Sequence, residues 1–185
     1  MPLPETVARE ELHLRRIELR GYRRGDGLYD IEARLTDTKT YPWRRADGGT
    51  LATGSPLHDM WLRIVVDEDL TVRDVVASTD ASPHSVCGDA IEALARLKGL
   101  RIAPGWSQKV KELLGGAQGC THLTELLGPL ATTAFQTLST VRLARPDPLD
   151  RNGRPAKIDS CYAFASNREV VARRWPAFYD GPPSA

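Results

Sequence analysis

Cysteine is scarce and odd in number: the 185 residues hold three, Cys87, Cys120 and Cys161. An odd set spread over the second half of the chain is no disulfide framework, and in a reducing compartment it leaves thiols, metal ligands or a nucleophile. Long apolar runs are also missing. No stretch approaches the roughly 18 residues of a membrane span, and the opening MPLPETVAREELHLRR lacks the apolar centre of a signal peptide. A cytoplasmic protein without a membrane partner is the expectation. Charge of one sign is not in excess either: 25 Lys and Arg stand against 24 Asp and Glu, interspersed, which argues against nucleic acid as a partner. Two catalytic signatures are absent. There is no Gly-x-Ser-x-Gly elbow, and LLGGAQGC lacks the preceding strand and the Lys-Ser/Thr of a phosphate-binding loop.

What is present is enough apolar content, 41%, for one core, so residues 1–185 are read as a single domain. The first part, residues 12–80, is mainly β. LHLRRIELRGYRR and LYDIEARLTDTKTY flank a GDG turn as a long hairpin, with Tyr29, Ile31, Ala33 and Leu35 on one face. Cross-strand Arg–carboxylate pairs on an exposed face account for Asp26, Asp30, Glu32 and Asp37. PWRRADGGTLATGSP reads as a loop or short second hairpin, and MWLRIVVDEDLTVRDVVASTD as two more strands around an acidic turn. Residues 87–142 are mainly α, with Ile91, Leu94, Ala95 and Leu97 inward on one helix and Val110, Leu113 and Leu114 on the next. After a Pro-rich linker, residues 157–179 form an ordered tail, a strand followed by a turn and a short strand or helix, and DGPPSA frays. Helices following strands rather than alternating with them predict an α+β fold, an antiparallel sheet with helices on one face.

The last long helix is the best-defined element. From Leu123 its apolar residues fall at Leu126, Leu127, Leu130, Ala131, Ala134, Phe135 and Leu138, one buried face. Gly119-Cys120-Thr121-His122 forms its mouth, where the unpaired N–H groups and the dipole favour a thiolate. His122 and Glu125, three residues apart, share a face and suit a metal orienter and a proton shuttle. Arg20, Tyr22 and Arg23 on the hairpin are candidates for gripping an anionic substrate group.

The stretch GSPLHDMWLRIVVDEDLTVRDVVASTD and the cysteine that follows it resemble the opening of the iron–sulphur cluster scaffold family: Gly-x-Pro, a ligand followed by Asp, a strand, an acidic turn, a second strand and a second ligand. The resemblance spans Gly54 to Leu138. It implies a scaffold-like core beneath an added N-terminal hairpin, with His58, Cys87 and Cys120 converging at one end of the sheet as metal ligands. His58 stands where that family has cysteine, and the hairpin and the Cys161 tail have no counterpart. A fourth metal position then falls to Asp59, His122, Cys161 or water. The chain as a whole is identified as a member of an uncharacterised bacterial family, a domain of unknown function. The carrying stretches are RGYRRGDGLYDIEARLTDTK, PLHDMWLRIVVD, LKGLRIAPGW and GCTHLTELLGPLATTAFQT.

These readings give a small metalloprotein with a His/Cys/Cys site holding zinc or iron, a single ion rather than a cluster. Its expected work is Lewis-acid or metal-water chemistry on a small molecule, of hydrolase, lyase or isomerase type, with Glu125, His122 and Asp59 as catalytic residues. The alternative is a non-enzymatic iron–sulphur or metal carrier, against which the His-for-Cys replacement weighs. A homo-oligomer is left open.

Overall fold

The structure, a computed structural model, describes residues 3–46 and 48–182, and its chain divides into two compact units between Leu138 and Ser139. In the first unit, β1 (His13–Arg23) and β2 (Tyr29–Lys39) form the expected hairpin, in unbroken register from His13 opposite Lys39 to Arg23 opposite Tyr29. Its turn is closed by Arg24 N–H on the Leu28 carbonyl at 2.9 Å, with Gly27 at φ 85°, a conformation that favours glycine. β3 (Trp43–Arg44) and β4 (Thr50–Leu51) are a minimal second hairpin. β5 (Pro56–Val66) pairs with β2, and β6 (Val72–Ala81) with β5, giving an antiparallel sheet in the order β1-β2-β5-β6. The N-terminal hairpin is thus part of the main sheet.

Alternation explains why these segments are strands. Tyr29, Ile31, Ala33 and Leu35 on β2 and Met60, Leu62, Ile64 and Val66 on β5 are all buried, every second residue turned to the same inner face. The residues between them, Glu32, Arg34, Asp59, Trp61 and Arg63, line the outer face. There the Arg34 guanidinium lies 4.8 Å from the Trp61 ring and makes two bonds to Asp59, at 2.9 and 2.7 Å. The β5–β6 turn is held by Asp67, whose Oδ1 accepts the N–H groups of Asp69 and Thr71, each at 2.9 Å. Leu70 takes φ 64° in this turn, a costly conformation for a branched side chain, and its side chain is 1% exposed. Burial of about 1.5–3 kcal/mol for such a side chain offsets that strain.

The helical layer covers the inner face. α1 (Trp106–Leu114) buries Trp106, Val110 and Leu114, an i, i+4, i+8 line, and Trp106 Nε1–H donates to the Leu127 carbonyl at 3.1 Å. α2 (Thr121–Thr137) buries Leu123, Leu126, Leu127, Leu130, Ala131 and Ala134 and packs on β1, β2 and β5. Pro129 lies inside α2 and cannot donate to the carbonyl of Glu125, one turn back. The helix expected from Cys87 onward is a 3-10 helix, Ser85–Leu97, against β6 and α1. Three residues per turn align Ile91, Leu94 and Leu97, so Leu94 and Leu97 are buried while Ala95, expected inward, is exposed.

The second unit contains α3 (Ser139–Leu143) and α4 (Glu169–Arg174). Ile158 and Val171 are buried, and Asp147 joins Lys157 at 3.1 Å to Arg174 at 3.0 Å. No strand forms where the tail was expected to begin with one. Asp159 sits at φ 63°, its N–H bonds the Phe164 carbonyl at 2.8 Å, and its carboxylate accepts Ser166 N–H at 2.8 Å, which closes a loop around the 3-10 turn Tyr162–Phe164. Of the segment expected to fray, Asp180 N–H bonds the Ser166 carbonyl at 3.2 Å, and residues 183–185 lie outside the described residues. No helix among the described residues is long and apolar enough to cross a membrane. The whole is an α+β fold.

Candidate metal centre

The inner faces of β2 and β5 are apolar along most of their length and turn polar at one end. Asp37 continues the line of Tyr29, Ile31, Ala33 and Leu35, and His58 the line of Met60, Leu62 and Ile64. Both are buried, Asp37 at 1% and His58 at 7% exposure, and they face each other directly in the β2–β5 register. Arg15 faces Asp37 from the other side, across the β1–β2 pairing. Three neighbouring strands therefore set Arg15, Asp37 and His58 in one row on the inner face, and α2 lays His122 over it.

Hydrogen bonds join the row. Arg15 grips Asp37 with both arms, Nε to Oδ1 and Nη2 to Oδ2, each at 2.8 Å. His58 Nδ1 lies 2.9 Å from Oδ2, and His13 Nε2 lies 3.2 Å from Oδ1. Arg15 Nη1 also reaches Glu125 Oε2 at 3.2 Å. The His58 and His122 rings lie 3.9 Å apart, centre to centre, tilted by 35°. Potential ligand atoms of Asp37, His58 and His122 all fall within 4.8 Å of one another.

Protonation follows from these contacts. Burial pushes the Asp37 carboxyl up, but the Arg15 guanidinium and the His58 hydrogen bond outweigh it and hold the carboxyl below its ordinary value. Burial, with His122 close by, drives the His58 imidazole below its ordinary value, against the pull of Asp37. A neutral imidazole beside an ionised carboxylate places its proton on Nδ1, facing Asp37, and leaves the Nε2 lone pair for another partner. A carboxylate that fixes the tautomer and orientation of a ligating histidine is a recurrent arrangement at metal sites. Asp37 itself carries four close contacts on two oxygens, so its lone pairs are occupied.

The other residues singled out from sequence are placed as follows. Cys120 is the residue preceding the first turn of α2, half-buried, and Cys87 is half-buried in the 3-10 helix. Neither belongs to the Asp37, His58 and His122 group. Cys161 is exposed in the second unit. Glu125 shares the His122 side of α2 and meets Arg15. Asp59, next to His58 on β5, points to the opposite face and holds Arg34. Arg20 and Tyr22 are exposed on the outer side of β1, Arg20 bonded to Glu18 at 3.2 Å, and Arg23 is exposed at the strand end. Asp37, read from sequence as part of an exposed face, is buried because it stays in phase with Leu35. That phase, extended by two residues, is the signal that marks Asp37, and the β1–β2 pairing then marks Arg15.

No curated protein and no solved structure matches this chain. A family profile does match, over residues 13–136, from the first strand of the sheet almost to the end of α2, and so over every member of the buried row. The chain belongs to the family described as Protein of unknown function, DUF2889.

Proposed function

We propose that this protein binds a single metal ion of the zinc or ferrous class through the Nε2 atom of His58 and the imidazole of His122, with Asp37 as the group that orients His58. The observation that carries this reading is the His58 Nδ1 to Asp37 contact at 2.9 Å, which leaves Nε2 as a bare nitrogen donor beside a second imidazole. Metal–nitrogen bonds of about 2.0–2.1 Å call for ligand atoms roughly 3.3 Å apart, and the ligand atoms of the Asp37, His58 and His122 group lie within 4.8 Å of one another, so a modest closing brings two imidazoles into range. Two nitrogen donors and no dedicated sulphur set suit zinc or iron(II) better than calcium or magnesium.

Two protein donors leave positions to fill. On α2, Glu125 three residues beyond His122 and Cys120 two residues before it are further candidate donors, and water takes whatever they do not. With an open position the ion would supply a Lewis acid for a bound water or substrate, and Glu125 on the same helix as His122 would be the group to move a proton. That supports enzymatic work on a small molecule in a reducing compartment such as the cytoplasm, where three unpaired cysteines are at home. The test is elemental analysis of untagged protein purified without chelator. One equivalent of zinc or iron, lost in both His58→Ala and His122→Ala, supports the reading. No metal in the wild type, or full occupancy in both variants, refutes it, and iron with acid-labile sulphide replaces it by a carrier.

A further inference from the structure

The two edges of the main sheet differ. At β6, the register with β5 shifts near both ends, the 3-10 helix packs against the strand, and the segment after that helix pairs with the start of β6. There Val72 N–H bonds the Leu100 carbonyl and Gly99 N–H the Val72 carbonyl, both at 2.8 Å. β1 has none of this protection. It runs eleven residues in regular register with β2, without proline or bulge. Among the described residues no other backbone segment pairs with its outer side. Almost all its side chains are exposed, and the apolar Ile17 keeps 40% of its surface in solvent. The unpaired N–H and C=O groups along such a long edge are a template for another strand.

We propose that β1 pairs antiparallel with β1 of a second copy of this chain, about a two-fold axis at Ile17, joining two four-stranded sheets into one of eight strands. The charges on β1 suit this partner, and they favour this register over a slip of one residue. Centred on Ile17, the pairing sets Ile17 against Ile17 and Arg16 against Glu18 twice, once on each side of the axis. Opposite charges directly across a strand pair are favourable, and like charges are not. Centred one residue later, the pairing sets Glu18 against Glu18 and Arg16 against Arg20, so that slip is penalised. A register offset that sets odd positions against even ones turns Ile17 and Leu19 to the wrong face of the joint sheet. The contact is isologous, as a closed two-fold dimer requires. This inference does not depend on the metal reading.

The experiment is size-exclusion chromatography with light scattering on the full chain at micromolar concentration. The expected mass is twice the 20.4 kDa of one chain. Glu18→Arg returns the protein to monomer, and Arg16→Glu combined with Glu18→Arg restores the dimer. Both side chains are exposed, so circular dichroism confirms that each variant is folded. Independently, Ile17→Cys forms an interchain disulfide on mild oxidation. Tyr22→Cys does not exceed the background that wild-type Cys87, Cys120 and Cys161 set, because in this register its two copies lie roughly 34 Å apart at about 3.4 Å per residue. A monomeric wild type, a dimer indifferent to Glu18→Arg, a folded double variant that stays monomeric, or equal cross-linking at positions 17 and 22 each overturns the proposal.

Discussion

His58 and Asp37 face each other across β2 and β5, joined by a 2.9 Å hydrogen bond from Nδ1 to Oδ2. The bond fixes which imidazole nitrogen is left for a ligand. Asp37→Asn keeps the shape but weakens the orienting acceptor, so metal affinity falls about 10–100-fold, the usual cost of losing such an outer partner, with stoichiometry unchanged. Competition against a chromogenic chelator reads this out. Complete loss of metal makes Asp37 a ligand instead, and unaltered affinity removes it from the site.

Arg15 neutralises Asp37 from the edge strand. Arg15→Ala leaves a buried carboxylate with fewer partners and lowers stability by about 1–3 kcal/mol, a fall in Tm of about 2–4 °C per kcal/mol for a chain of this size. Lysine cannot reproduce the two-armed grip, so Arg15→Lys recovers only part of the loss in thermal melting. Full recovery by lysine shows that charge alone matters.

Gly21 is where β1 comes under the end of α2. A Cβ there would collide with the Thr137 side chain. Gly21→Ala therefore destabilises by roughly 1–3 kcal/mol through overpacking, and Thr137→Ala in the same chain recovers part of it. Chemical denaturation of the single and double variants checks the pair, and additive effects contradict the contact.

Most of the sheet was legible because alternation over Tyr29 to Leu35 and Met60 to Val66 is unambiguous, and α2 because its apolar stripe is complete. The site was half legible. His58, His122 and Glu125 stand out as residue types, but Asp37 looks like one of many carboxylates until the phase of β2 is carried two residues further. Arg15 gains meaning only from the register with β2. The 3-10 geometry of Ser85–Leu97 was not legible, since Ile91, Leu94 and Leu97 fit a spacing of three or of three and four equally well. The expected first strand of the tail gives way to a loop because nothing local in IDSCYAF announces the left-handed conformation at Asp159, whereas the short helix Glu169–Arg174 follows a turn at 166–167 as expected.

Asp67 links the β5–β6 turn to pH. Burial raises its carboxyl, while the Thr71 and Asp69 N–H groups and Arg73 lower it further, so the folded value lies below the ordinary one. A group depressed on folding contributes stability above its unfolded pKa, and that contribution is lost as pH falls through the folded value. Asp67→Ala should cost about 1–2 kcal/mol at neutral pH, with the gap to wild type narrowing below about pH 4. Melting curves from pH 7 to pH 3 test this, and a gap that stays constant contradicts it.

X-ray absorption on the zinc-loaded protein is the most direct test of two-imidazole ligation. The proposed ligation predicts a first shell at about 2.0–2.1 Å with the outer scattering of two imidazole rings, reduced to one ring in His122→Ala. A shell of oxygen alone, or one dominated by sulphur near 2.3 Å, would contradict the assignment of His58 and His122 as the residues that hold the metal.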